Sequence, residues 1–324
     1  MTAWPIDWRA LVAEAVRRRK EEGLTQRTLA ALAGVSPPTV NAFERGEINL
    51  RFERIVAILE ALGLFSHPAG GDDFASFIES ARARWGELAD TLPEGVPARQ
   101  SHGHSELAYS FAVAEHADYN PSSLRSRLAH APRTSNWPPF WVPLKPAIKP
   151  LIRGNLVECW LGKLAADHGY GDAAHSDFWQ VSRYGHAYLQ RGYQEDGADF
   201  DPGTIFDLTL PVLRAAEVLR HAAWLAREFE EVDSKIRFAG RYTGLAGREL
   251  LPWSKPTLRE AVRGRHRARA DSVAMEVTFS LSTIEQSLPE AVHDALLGLY
   301  ERFDGYVLPM DIVRNVLQQS FEAN

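Results

Sequence analysis

Between Gln26 and Glu44 the apolar residues Leu29, Ala33, Val35, Val40 and Phe43 split into two short amphipathic pieces on either side of Gly34. Pieces of this length are not stable helices alone, so they must pack on each other and on further helices. Local signals then restrict how they meet. Thr25 is a suitable N-cap for the first piece and leaves Gln26 and Arg27 at its exposed beginning. Gly34 stands where that helix must stop and the chain must turn steeply, a place that needs positive φ. Ser36 is placed to cap the second piece, and Pro37 occupies its first turn, where a missing N–H costs nothing. Ala30 is small where the two helices cross. Structure alone needs the apolar set. It does not need the Thr, Gln, Gly and Ser at these spacings.

With Trp8 in a preceding helix, the run Ile55 to Gly63 closing the segment and Phe43-Glu44-Arg45-Gly46 ending the second piece, residues 8–64 resemble the phage-repressor or Xre-type helix-turn-helix regulators. The likeness covers about a fifth of the chain and implies a compact five-helix bundle that binds double-stranded DNA. It implies that Ser36–Arg45 enters the major groove, with Ser36, Pro37, Pro38, Thr39, Asn41 and Ala42 near base edges. Gln26, Arg27, Arg45, Asn49 and Arg51 match phosphate-contacting positions, and Arg19 with Glu44 matches an internal link between helices. Long polar side chains are scarce at the base-facing places here. Thr39 and Asn41 are the polar readers that are left, so shape and dimer spacing are expected to carry much of the specificity.

A net charge of −6 argues at first against a nucleic-acid partner. The distribution removes the objection: residues 1–64 hold nine Lys/Arg against eight Asp/Glu, and the acidic excess lies beyond them. Cys159 is the only cysteine, so no disulfide forms within the chain and a cysteine-based zinc site lacks ligands. The N-terminus lacks the apolar stretch of a secretory signal, and no run of eighteen apolar residues suggests a membrane span. A cytoplasmic protein without membrane partners is expected.

At 324 residues the chain has room for two or three domains. The breaker-rich stretch 67–73 separates a helix-turn-helix domain (1–66) from a linker with one amphipathic helix (67–100, the helix near Phe74–Ala89). Residues 101–324 then read as an α+β domain for dimerisation or effector sensing. Helices are predicted through Leu128 (capped by Ser122 or Ser123), from Thr209 to Glu230, from Pro289 to about Arg302, and from Pro309 through Gln319. Strands are predicted at Asn155–Leu161, Phe178–Ser182, His186–Tyr193 and, by strict alternation, Val273–Leu281. The fold class expected is an all-α helix-turn-helix bundle followed by an α+β domain.

Chemistry in the larger part is sparse. Stretches 137–141, 158–162, 175–179 and 191–196 resemble a region that accompanies some AlbA-type (Schlafen-like) bacterial DNA-binding proteins, a likeness that implies no activity. Trp137, Trp141, Trp160, Trp179 and Tyr193 could line an effector pocket anchored by Glu158, Asp177 and Glu195, or simply fill a core. His102, His104, His116 and Asp118 suggest a metal site, and His175 with Asp177 an acid–base pair, but in both cases a structural role is the simpler reading. Arg259, Arg263, Arg265, Arg267 and Arg269 form a basic run that either grips phosphate or is a solvated connection. Neither a self-cleaving Ser–Lys pair nor His-Glu-x-x-His is present. The expectation is therefore a sequence-specific DNA-binding transcriptional regulator that acts as a homodimeric repressor. It carries no catalytic residues and no cofactor, and it has a small-molecule or protein effector. A DNA-targeted nuclease or nucleotide-processing enzyme using Glu158, Asp177, Glu195, Asp196 or Asp207 is one alternative, and an antitoxin or adaptor that binds a partner protein is another.

Overall fold

The computed structural model describes residues 7–47, 49–64, 73–113, 120–162, 172–197, 200–231 and 234–321. Four helices form the N-terminal bundle: α1 (Trp8–Glu21), α2 (Gln26–Leu32), α3 (Pro37–Glu44) and α4 (Phe52–Ala61). Val12, Ala15, Leu29, Ala30, Val40, Phe43, Ile58, Leu59 and Leu62 make a core of their own. Thr25 caps α2, its Oγ1 accepting from the Thr28 amide at 3.0 Å. Gly34 turns the chain with φ +64°. Ser36 stands at the N-cap of α3, but its hydroxyl meets Thr39 Oγ1 at 2.8 Å and makes no capping bond to a backbone amide.

The helix expected in the linker, α5 (Asp73–Ala89), is neither connector nor fifth bundle helix. Its Phe74 and Ala81 pack with Ala108, Trp160, Phe178 and Tyr188 on one face of a large sheet. That sheet contains β1 (His104–Ser110), β2 (Leu151–Arg153), β3 (Leu156–Trp160), β4 (Phe178–Ser182), β5 (His186–Gly192), β7 (Lys235–Tyr242) and β9 (Val273–Ser280), with a separate parallel pair β6 (Ile205–Asp207) and β8 (Glu249–Leu251). The seven strands run in the order β2-β3-β4-β5-β1-β7-β9, every neighbouring pair antiparallel. Side chains alternate between faces along each strand. Leu107, Tyr109, Trp179, Leu189 and Phe238 therefore join the opposite core, which is closed by α7 (Leu210–Glu228), α8 (Leu281–Gln286), α9 (Leu288–Tyr300) and α10 (Met310–Phe321).

A further helix, α6 (Pro121–Leu128), is capped by Asn120, whose Oδ1 accepts from the Ser123 amide at 2.8 Å, instead of by either serine. The bundle meets the C-terminal body where the end of α4 sits on the turn between β2 and β3. A Cβ at Gly154 would lie 2.7 Å from the Glu60 carbonyl oxygen, and one at Gly63 would lie 2.9 Å from Asn155 Oδ1. Both glycines have positive φ, so the close approach and the backbone conformation select the same residue.

Candidate nucleic-acid interface

The side chains of the α2–α3 unit sort into a hydrogen-bonded interior and an exposed exterior. Inside, Arg19 Nη2 donates to Glu44 Oε2 at 3.1 Å and Arg19 Nη1 donates to the Leu24 carbonyl at 2.7 Å. Gln26 Nε2 donates to the same Glu44 oxygen at 2.7 Å, and Asn41 Nδ2 reaches Gln26 Oε1 at 3.3 Å. Arg19 and Glu44 thus tie α1 to α3, and Gln26 and Asn41 are aligned by their attachment to that pair. Trp8 closes the bundle below, its indole N–H on the Gly46 carbonyl at 3.0 Å and its ring edge-on to Phe43.

Outside, Ser36, Pro37, Pro38, Arg45, Asn49 and Arg51 are exposed, with Asn41 and Ala42 half-buried beside them. Among the described residues this surface is left open, and the close approach of bundle to body falls at the end of α4. Arg27, Arg45 and Arg51 are exposed too, and among the described residues none is held in an ion pair. The first residues of α4 follow Arg51, which provides no side-chain cap, so the leading amides of that helix are open to an anion. The first two positions of α3 are prolines and offer no N–H. What α3 presents at its start is an apolar wedge, followed by the amide of Asn41.

Thr39 corrects the expected set of base-facing residues. It is only 6% exposed, and its hydroxyl is bonded to Ser36. Its place follows from helical spacing, since Thr39, Val40 and Phe43 share the inner stripe of α3. Phe52 is a residue that the sequence pattern does not single out: it is 74% exposed at the start of α4, next to Arg51.

The aromatic set of the C-terminal body does not assemble around one hollow. Trp160 belongs to the α5 face, whereas Trp137, Trp141, Trp179 and Tyr193 lie on the other. Trp137 and Trp141 touch with ring centroids 5.0 Å apart, and Trp179 Nε1 donates to the Trp141 carbonyl at 3.2 Å. Trp137 and Tyr193 line a cavity of ≈ 40 Å³, room for two or three waters. Glu195 lies there as well. Burial pushes its carboxyl up to about 7, even though its own backbone N–H and that of Asp207 favour the ionised form.

The five dispersed carboxylates each have partners of their own. Asp177 is clamped by Arg191 at 2.8 and 2.6 Å and accepts from Trp137 Nε1 at 3.2 Å. Asp196 pairs with Arg248 at 2.7 Å, and Glu158 accepts from Gln180 at 2.8 Å and faces Arg84. Asp207 receives the amides of Thr209, Leu210 and Ser254. His175 pairs with Asp172 at 2.9 Å, so the suspected partnership with Asp177 does not form. His116 and Asp118 lie outside the described residues, and among the described residues no three His, Cys, Asp or Glu are placed to share a metal ion. In the basic run, Arg265 and Arg267 approach Glu249, and Arg269 pairs with Asp304 at 3.0 Å.

Two helices joined through a glycine turn, with the second one exposed and braced from behind, make the N-terminal bundle a helix-turn-helix unit. Residues 17–66 match the helix-turn-helix family model. The chain is also similar to an uncharacterized helix-turn-helix-type transcriptional regulator of Haemophilus influenzae, 33% identical over 54 residues. Those residues are 17% of this chain and 55% of that protein, so the chain spans little more than half of its relative's length. The bundle is thus a helix-turn-helix domain of the Xre type, followed by an α+β body. Among the described residues no helix is long and apolar enough to cross a membrane.

Proposed function

We propose that this protein is a sequence-specific DNA-binding transcriptional regulator, a repressor acting as a homodimer, and not an enzyme. The observation that carries the proposal is the free outer surface of α3. Pro37, Pro38, Asn41 and Arg45 stand clear of the C-terminal body, with the unpaired Arg27 and Arg51 beside them. In this reading α3 lies in the major groove. Asn41 offers the amide geometry that pairs with adenine, and Pro37, Pro38 and Ala42 offer apolar contact to thymine methyls. Arg27, Arg45, Asn49, Arg51 and the amides at the start of α4 take the flanking phosphates.

A single bundle buries too little surface for tight specific binding. Two copies would set their α3 helices on half-sites about 34 Å apart, with the body joining them and answering an effector. Band-shift titration of the purified full chain against DNA from upstream of its own gene tests the reading. Binding that survives an excess of random DNA at about 100 mM salt supports it. No preference over random DNA at that salt ends it.

A further inference from the structure

The two edges of the seven-stranded sheet are built differently. At one end β2 is three residues long and follows Pro150, features that blunt an edge. At the other, β9 runs for eight residues without a proline, a glycine or a lysine. It keeps register with β7 from Val273 to Ser280, so no bulge bends it away, and among the described residues no strand pairs with its outer side. An edge of that length presents a row of unpaired backbone groups to any strand that can match it.

Which groups face outward follows from the ladder. The Leu281 amide donates to the Ser234 carbonyl at 3.0 Å, one step beyond the pair formed by Ser280 and Lys235. Bonded and unbonded pairs alternate along an antiparallel ladder. Val273, Met275, Val277 and Phe279 therefore turn their amides and carbonyls toward β7, and Ala274, Glu276, Thr278 and Ser280 turn theirs to the open side. The side chains divide at the same positions. Ala274, Glu276, Thr278 and Ser280 are exposed. Met275 and Val277 belong to the core-facing row but are only half-buried, between the buried Val273 and Phe279. The core thus ends at β9 with its middle uncovered.

We propose that a second copy of this chain covers this edge, β9 pairing antiparallel with β9 of the other copy about a two-fold axis at Val277. Two registers keep the outward groups opposite one another over nearly the whole strand. An axis at Glu276 would set two carboxylates directly opposite each other, which is unfavourable. An axis at Val277 sets Val277 on Val277 and Met275 on Phe279, which closes the apolar row. It also sets Glu276 of each copy opposite Thr278 of the other. Beyond that Thr278 stands Arg237, its ladder partner on β7, so the carboxylate faces a hydroxyl backed by a guanidinium. The pattern is its own complement, as a two-fold interface requires and a strand from a different protein would not. The inference rests on the homodimer of the proposed function and names its interface.

Sedimentation equilibrium of the full chain at micromolar concentration is expected to give twice the mass of one chain. Thr278→Pro removes one outward amide and leaves the β7 ladder intact, so it should raise the dimer dissociation constant by about tenfold or more while the chain stays folded by circular dichroism. Cross-linking tests the register. Residues opposite in an unbonded pair lie about 4.5 Å apart at Cα, so Val277→Cys, oxidised with diamide, should form a covalent dimer. Met275→Cys should not, because the two copies of that residue are offset by four positions along the ladder, about 14 Å. The native Cys159 is buried and gives no background. A dimer that Thr278→Pro leaves unchanged, or that cross-links no better through Val277→Cys than through Met275→Cys, overturns the β9 interface while the homodimer stands. A monomer at these concentrations overturns both, and band-shift titration still decides DNA binding by itself. Should Thr278→Pro fail to fold, the two cysteine variants decide the matter.

Discussion

The bundle and the C-terminal body use arginine in opposite ways. In the body the guanidinium groups are largely consumed: Arg191 on Asp177, Arg248 on Asp196, Arg82 and Arg241 on Glu106, Arg237 on Glu276. In the bundle Arg19 is consumed in the same manner, yet Arg27, Arg45 and Arg51 are left in solvent along one surface. Surface ion pairs contribute little to stability, so leaving these three unpaired costs the fold little. The contrast separates charge that holds a structure from charge that waits for an outside anion. It also shows why net charge is a poor guide to partners, since the −6 of the chain is spread over regions with different tasks.

Substitutions can break that contrast, and the largest effect is expected in the body. Asp177→Ala leaves Arg191 buried without its carboxylate and should destabilise the body by about 3–5 kcal/mol in urea unfolding. A loss no greater than that of an exposed pair would mean that water replaces the carboxylate. Next comes Glu195. Its folded-state value of about 7 lies above the ordinary 4.5, so its contribution is complete below about 4.5 and fades as pH rises through 7. His221 works in the opposite direction, its contribution complete above 6.5 and lost as pH falls toward 3. Glu195→Gln, which imitates the protonated form, should therefore gain on the wild type by about 1.4 kcal/mol per pH unit between pH 4.5 and 7. Parallel stability–pH curves for the two proteins would show that Glu195 ionises normally.

In the bundle the effects move from stability to recognition. Asn41→Ala should cost about 1–3 kcal/mol of binding at particular base pairs and relax the choice there, as measured by competition among operator variants. Equal losses on every sequence would mean that Asn41 only braces Gln26. Arg27→Ala should have the smallest effect. It should weaken binding to all DNA alike and lower the slope of log affinity against log salt by about one, with the fold untouched.

The helix-turn-helix was legible because its signals are local. Thr25 and Gly34 each act within a few residues of themselves, and both do in the fold what their chemistry suggests. The alternation of β9 was legible for a similar reason, since one face of that edge strand stays exposed. β1 was not legible, because a central strand covered on both faces shows no polar side, and its buried positions include Glu106 and Ser110. β7 did carry a signal, with Ile236, Phe238 and Tyr242 alternating against Lys235, Arg237 and Arg241, but Ala239 and Gly240 interrupt it. At the interface, the polarity of Thr39 is a poorer guide to its role than its position on the inner stripe of the helix. The aromatic set misled for a different reason: which face of a sheet a tryptophan occupies depends on register, and register is set by distant partners such as Gln180 opposite Glu158.

Where Gly154 meets the carbonyl of Glu60, backbone lies directly against backbone with no side chain as a cushion, and Gly63 beside it sits against the side chain of Asn155. A joint of that kind has little play. A shift of the β2–β3 turn by an ångström would carry α4 along, and with it the rest of the bundle, because α4 is part of the bundle's own core. Distortion of the sheet would thus be geared directly to the tilt of the helix that meets DNA, and even an alanine at either glycine would act as a shim that resets the angle.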